Sequence, residues 1–346
     1  MDSEWDLEVR TQAAMRLRDM IMGFRVTQLL YVAASLHLAD HLADTPQAAA
    51  VLARAVGADE AALRRVLRAL VGLGILIETD GTFALTTLGQ LLRRDLPDSL
   101  HGLAVLYGAD WLWRAYGQML HSALTGHTAF AHVHGTPFYE YLEQNSRAAS
   151  QFQEAMATYS RLEAAAIAEA YDFPANSTVV DVGGGQGTLL ATLLSAHPSL
   201  TGVLFDQPAV VARAEHVFAA AGVAPRATWV GGDFFSSVLP DGDVYVLKSV
   251  VHNWDDEAAE RLLQSCRRAM RHDARLLLAE RVVSDNAPSE AQLFDINMLV
   301  VVGGRERTEA EYRRLLERSG FALIRVVATK SPLSLIEAQP ISRRSP

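Results

Sequence analysis

Cysteine is nearly absent. Cys266 stands alone among 346 residues, so no disulfide closes within the chain and a small disulfide-built fold is excluded. A metal site would have to rest on His and carboxylates alone, and none is expected. Lysine is almost as scarce: of 31 basic residues only Lys248 and Lys330 are lysine. The arginine excess reads as coding bias, and a lysine retained against it is informative. No apolar run approaches the roughly 20 residues that span a bilayer. The start, Met1 to Arg10, is acidic and lacks the basic and apolar regions of a signal peptide. A cytoplasmic protein without a membrane partner is the expectation. Positive charge is also short, with 31 basic against 40 acidic residues and a net charge of -9. That disfavours a large nucleic-acid interface.

What is present is an ordinary globular balance, 50% hydrophobic and 21% charged, over a length that suits two domains. Residues 1–100 read as helical, with apolar residues at helical spacing through Met15, Met20, Ile21, Leu29, Leu30 and Val32. Short helices over Leu36–Leu42 and Ala48–Val56 precede a third over Glu60–Leu73, with Asp59 as its N-cap. Ile75–Glu78 and Thr82–Leu85 flank Asp80-Gly81, a hairpin signal. Three helices and a hairpin make a winged helix. Arg64, Arg65 and Arg68 give its third helix the look of a DNA reader. However, residues 1–100 hold ten positive and thirteen negative side chains, a net of -3, which is poor for phosphate contact. An exposed charged face or a dimer surface is the better reading.

Residues 101–175 are again helical and rich in aromatics, most of which read as core. From Asn176 onward β-branched runs alternate with helical ones: Thr178–Val182, Val203–Phe205, Thr228–Val230, Val244–Leu247, Leu276–Ala279, Phe321–Thr329 and Leu333–Glu337. The alternation predicts a mostly parallel sheet covered on both faces, with the last two runs antiparallel. The domains expected are therefore 1–100, a helical linker and substrate-pocket region over 101–175, and a catalytic domain over 176–346.

The strand Thr178–Val182 enters Gly183-Gly184-Gly185-Gln186-Gly187 and then a helix, a loop that lets backbone approach a ligand closely. The dinucleotide fingerprint wants glycine where Thr188 stands. Asp181, just before the loop, would repel a pyrophosphate and suits a ligand bearing an ammonium and a sulfonium, as S-adenosylmethionine does. Asp206 follows the next strand, 19 residues after Gly187, where doubly wound sites place a carboxylate for ribose hydroxyls. Asp233 follows the third strand, beside Phe234, and the pair suits an adenine amino group and ring. Either of these acids alone also reads as a cap or a surface charge. Three acids at the ends of three successive strands point to a ligand edge.

The segments Val180–Gly185, Phe205-Asp206-Gln207-Pro208, Gly232–Phe235, Leu247–Glu257 and Gly303-Gly304-Arg305-Glu306-Arg307-Thr308 resemble the successive motifs of the plant-type small-molecule O-methyltransferases and their bacterial natural-product relatives. The resemblance covers nearly the whole chain. It implies a Rossmann-like class I methyltransferase sheet ending in an antiparallel hairpin, joined to a helical winged-helix dimerisation domain that does not bind DNA. It also implies S-adenosylmethionine as cofactor, a homodimer, and a small phenolic substrate. In the family's pattern the cofactor contacts fall on Asp181, Gly183, Gly185, Gly187, Asp206, Gln207, Asp233, Phe234 and Lys248. The catalytic base falls on His252, with Glu280 and Glu306 as its partners. The acceptor side falls on Phe152, Met156 and Tyr159, one face of a helix, and on Asn297, Met298 and Val301. Gly23–Tyr31 is expected to help close the partner's site. Asn253 departs from the Asp that often follows the His.

The chemistry agrees. Displacement of a neutral thioether needs no general acid; it needs the acceptor placed about 3 Å from the methyl and made nucleophilic. A phenol is mostly protonated at neutral pH, and His is the usual base there. The same base serves C-methylation ortho to a phenol, and some relatives methylate nitrogen. Two distant readings are a winged-helix regulator that senses the cofactor and a nicotinamide oxidoreductase.

Overall fold

The computed structural model describes residues 7–237, 240–284 and 290–341. The first six residues of the acidic start lie outside them. The chain forms two units: residues 1–113 with 150–158, and residues 114–149 with 159–346.

In the first unit, helices Leu38–His41, Ala49–Val56 and Glu60–Gly72 pack Leu38, Leu52, Leu67 and Leu70 around Phe83. Asp59 caps the third helix by accepting from the Ala62 amide, and Gly74, at φ 73°, follows its end. The wing has one strand more than the sequence signal gave. β1 (Gln47–Ala48) lies antiparallel to β3 (Thr82–Leu85), which pairs with β2 (Leu76–Thr79). A two-residue strand is too short for any periodicity to reveal. Arg64 pairs with Glu60 and Arg68 with Glu78. Preceding this bundle, helix Leu7–Ile21 leaves Met15, Leu17, Met20 and Ile21 exposed.

The second unit is built on strands β4 (Thr178–Val182), β5 (Thr201–Asp206), β6 (Ala227–Gly231), β7 (Val244–Lys248) and β8 (Arg275–Glu280). Two-residue strands β9 (Val282–Val283) and β10 (Arg307–Thr308) pair with each other, and β11 (Phe321–Ala328) and β12 (Ser334–Pro340) complete the main sheet. Its order is β11-β12-β8-β7-β4-β5-β6. The first five strands are parallel, and β12 is antiparallel to both β8 and β11. Every expected run is a strand. Both faces are covered, as near-continuous apolar runs require. Val244, Val246, Leu277 and Ala279 belong to one buried cluster. Their alternating neighbours Tyr245, Leu247, Leu276 and Leu278 belong to another.

The chain winds from β4 outward through β5 and β6, then returns to lay β7 on the other side of β4. The order reverses between β4 and β7, so the crevice where open α/β sheets bind ligands lies at their carboxyl ends. Among the described residues no helix is long and apolar enough to cross a membrane.

Candidate active site

At that crevice the glycine loop turns three times through the left-handed region, at Gly183, Gly185 and Gly187. Gly184 is required for space. A Cβ there would stand 2.4 Å from the Asp181 carboxyl group. At Gly185 a Cβ would meet nothing within 4 Å, so that side of the loop is open. Asp181 is fully buried, and neither oxygen has a hydrogen-bond partner. Burial pushes its carboxyl up to about 7, against the pull of the Lys248 ammonium.

Asp206 accepts from the Gly185 amide (2.8 Å) and the Gln207 amide (2.7 Å), one to each oxygen. Burial raises it and these two donors oppose the rise. Each oxygen keeps a second lone pair for a ligand hydroxyl. Asp233 closes its own turn, accepting from the Phe235 amide and the Ser236 hydroxyl, both at 2.9 Å. Phe234 stands edge-on to Trp254, at 6.1 Å. Tyr139, which reads as core in the sequence, stacks on Trp254 at 6.2 Å, and its phenol is raised by burial and by the charge of Asp206. Lys248 donates to Glu163 Oε2 at 3.0 Å. Glu163 carried no motif and could not be found from sequence. The loop, with its open side and adjoining acids, fits a nucleoside ligand carrying a cationic tail.

His252 sits on the single turn Val251–Asn253 after β7. It is 4% exposed. Its Nδ1 donates to Glu306 Oε1 at 2.6 Å, while Glu280 Oε2 is 3.6 Å away, too far for a hydrogen bond. The two glutamates therefore do different things. Glu306 fixes the ring, and Glu280 Oε1 fixes the backbone by accepting from the Val250 and Val251 amides at 3.0 and 2.8 Å. The second oxygen of each is buried without a partner. Burial depresses the imidazole, but the charges of Glu280 and Glu306 outweigh it and the net direction is upward. With Nδ1 occupied, Nε2 is the basic nitrogen. These three side chains also bring ligand-type atoms within 4.8 Å. Two ligands on tetrahedral zinc lie ~3.3 Å apart, so the 2.6 Å contact suits a shared proton better than a metal.

Asn253 has a use that an Asp would not: its Nδ2 donates to the Ser249 carbonyl at 3.1 Å, closing the turn. A second missed residue is Arg307. It is 1% exposed. Its guanidinium donates to the carbonyls of Val251 (3.3 Å) and Trp254 (2.9 Å), either side of the His, and to Asp256 (2.8 Å). Its place in the Gly303–Thr308 motif, directly after Glu306, was the available signal.

On the acceptor side, Tyr159 packs edge-on to Phe294 at 6.2 Å. Asn297 Oδ1 accepts from the Tyr116 hydroxyl at 2.8 Å; burial pushes that phenol up to about 12. Met298 and Val301 are buried in a π-helical turn, Met298–Val302, a form frequent at functional sites. The expected stripe on helix Ser146–Ala170 is divided, with Phe152 and Met156 in the first unit and Tyr159 in the second.

A parallel sheet with a glycine loop at its switch point and a reversed terminal hairpin is the class I methyltransferase architecture. The comparisons with known proteins name the family. Residues 113–322 match the O-methyltransferase domain and residues 18–95 the O-methyltransferase dimerisation domain. The chain is 44% identical to the phenazine O-methyltransferase PhzM of Lysobacter antibioticus, covering 94% of this chain and 96% of that one. It is 41% identical to the O-demethylpuromycin-O-methyltransferase of Streptomyces alboniger, covering 94% and 89%. A solved structure of LaPhzM is similar with a TM-score of 0.92 at 43% identity, covering 95% of this chain and 99% of that chain. The chain belongs to the S-adenosylmethionine-dependent O-methyltransferase family. That sets aside the regulator and oxidoreductase readings.

Proposed function

We propose that this enzyme methylates a hydroxyl of a small aromatic natural-product intermediate, with His252 Nε2 taking the hydroxyl proton. The observation that carries the reading is the Nδ1–Glu306 hydrogen bond, which leaves a single basic nitrogen on a buried ring. The relatives point the same way, since one is named for phenazine and one for puromycin. Bound S-adenosylmethionine supplies the electrophilic methyl group. The chain's own part is to place the acceptor oxygen in line and to accept its proton. Tyr159, Asn297, Met298 and Val301 are the acceptor contacts we assign within the second unit. The test is incubation with labelled cofactor and a panel of hydroxylated aromatic acids and polyketides, locating the new methyl by NMR. Methyl appearing on ring carbon or nitrogen, and never on oxygen, overturns the acceptor assignment.

Gly183, Gly185, Gly187, Asp206, Gln207, Asp233, Phe234 and Lys248 are the cofactor contacts in this reading, with Asp181 buried against the loop. Asp206→Ala is expected to weaken S-adenosylhomocysteine binding by about 1–3 kcal/mol, the cost of a lost charge-assisted hydrogen bond. Calorimetry checks it, and unchanged affinity removes the ribose assignment.

The active species in this reading is a homodimer. The matched dimerisation domain and the exposed Met15, Leu17, Met20, Ile21 and Phe24 support it. Sedimentation should report two chains of 37.7 kDa each. Met20→Asp with Ile21→Asp should shift the population toward monomer. A wild-type monomer at micromolar concentration contradicts the dimer.

A further inference from the structure

Among the buried charges around His252, Arg281 has no part in the reaction as described. It follows Glu280 at the end of β8 and is 2% exposed. Its guanidinium carbon lies 3.8 Å from the centre of the Phe294 ring and 5.9 Å from that of Tyr159. One end donates to Glu163 Oε1 at 3.3 Å, and Nε has no partner. The Phe294 ring is also the neighbour of the His252 imidazole, 6.0 Å between centres and within 14° of parallel.

A buried cation is costly unless it is paired. Glu163 is shared between Arg281 and Lys248, so a single carboxylate answers two cations. The balance comes from the other side of the cluster, where Glu280 and Glu306 crowd one imidazole nitrogen. Lys248 and Arg281 set against Glu163, Glu280 and Glu306 leave one negative charge when His252 is neutral and none when it is protonated. The remaining charged neighbours are largely paired among themselves. Arg307 holds Asp256, and Arg305 holds Glu311. Asp295 accepts from the Glu306 amide, and Tyr312 is a buried phenol.

We propose that Arg281 is a positioning residue for the base: it fixes Phe294 as the ring alongside His252 and opposes the charge of the Glu280–Glu306 pair. Without it the cluster carries one more negative charge, and the imidazolium is held too tightly to return as a base. The direction of the Arg281 effect on His252 agrees, since it lowers the imidazole against the two glutamates. The inference rests on His252 being the base.

The experiment is the pH profile of kcat/KM for wild type, Arg281→Met, Arg281→Gln and Arg281→Lys. The neutral variants should move the acid limb up by about one unit, the usual size of a close charge effect. Turnover at neutral pH should then fall about tenfold. Lysine should return the limb to its place while leaving turnover reduced, because an ammonium lacks the planar face that lies on Phe294. An acid limb that stays put in the neutral variants overturns the proposal. If neither neutral variant folds, Phe294→Leu decides: turnover should fall about tenfold with the limb unmoved, and unchanged turnover overturns it. His252→Ala is run beside them. Wild-type turnover in that variant sinks the base assignment itself, whereas a dead His252→Ala with an unmoved Arg281 limb sinks only this inference.

Discussion

His252→Ala lowers turnover by about 10²–10⁴-fold, the ordinary worth of positioned proton transfer, and leaves S-adenosylhomocysteine affinity nearly unchanged. The affinity should hold because the assigned cofactor contacts sit on the glycine loop and at the ends of β5, β6 and β7, and the imidazole is not one of them. The pH profile gives the sharper check. The working form is the neutral imidazole, and the two glutamates hold its pKa above the ordinary imidazole range. Wild-type activity should therefore decline as pH falls through that raised value, and the variant should lack this limb. Raising the pH should partly rescue the variant, since a phenolate formed in solution needs no base. If His252 only orients the acceptor, the deficit persists above the phenol's own pKa of about 10. Wild-type turnover at neutral pH would show that the acceptor loses its proton to water after transfer.

The parts of this site that the sequence revealed are those tied to strand ends. Asp181, Asp206 and Lys248 are legible because an apolar run followed by a polar residue marks the edge of a parallel sheet, and the glycines between Asp181 and Thr188 mark a close approach. His252 and Glu306 needed the family resemblance, because a 54-residue separation carries no local signal. Glu163 was hidden for another reason: one acid on a long helix looks like any solvated charge until Lys248 and Arg281 are seen to converge on it. Arg281 had the same cover, sitting next to a glutamate already assigned. Asn253 stands in the sequence only as a departure from the Asp that often follows the His, and the Ser249 carbonyl shows what its amide does. In the fold, the mostly parallel sheet and its antiparallel end followed from βα alternation and the short last link, whereas the strand order, and β1, β9 and β10 as pairings of two residues, come only from tertiary contacts.

Gly304→Ala should do nearly as much damage as removing the base, without touching any reacting group. Two adjacent glycines here serve different needs. Gly303 has φ 87° and ends the π-helical turn, and a Cβ on it would meet only the Thr128 methyl at 3.3 Å. Gly304 has no such backbone requirement. A Cβ on it would lie 1.9 Å from the His252 carbonyl oxygen and 2.4 Å from the Asn253 carbonyl carbon, both backbone atoms that cannot rotate away. The close approach exists because the Arg305 amide donates to that same carbonyl at 2.8 Å. Alanine must push the two segments apart, which breaks that bond and draws Glu306 away from Nδ1 and Arg307 away from the Val251 and Trp254 carbonyls. A displacement of about 1 Å at a catalytic group is enough for roughly 10²-fold in rate. Overpacking against rigid backbone adds about 1–3 kcal/mol of destabilisation. We expect kcat to fall at least 10²-fold, with a lower melting temperature and S-adenosylhomocysteine binding retained. Gly303→Ala should lose stability through strain alone and keep most of its turnover. The comparison is decisive in one direction: a Gly304→Ala enzyme with wild-type kcat means that the base works without Glu306 held at hydrogen-bond distance.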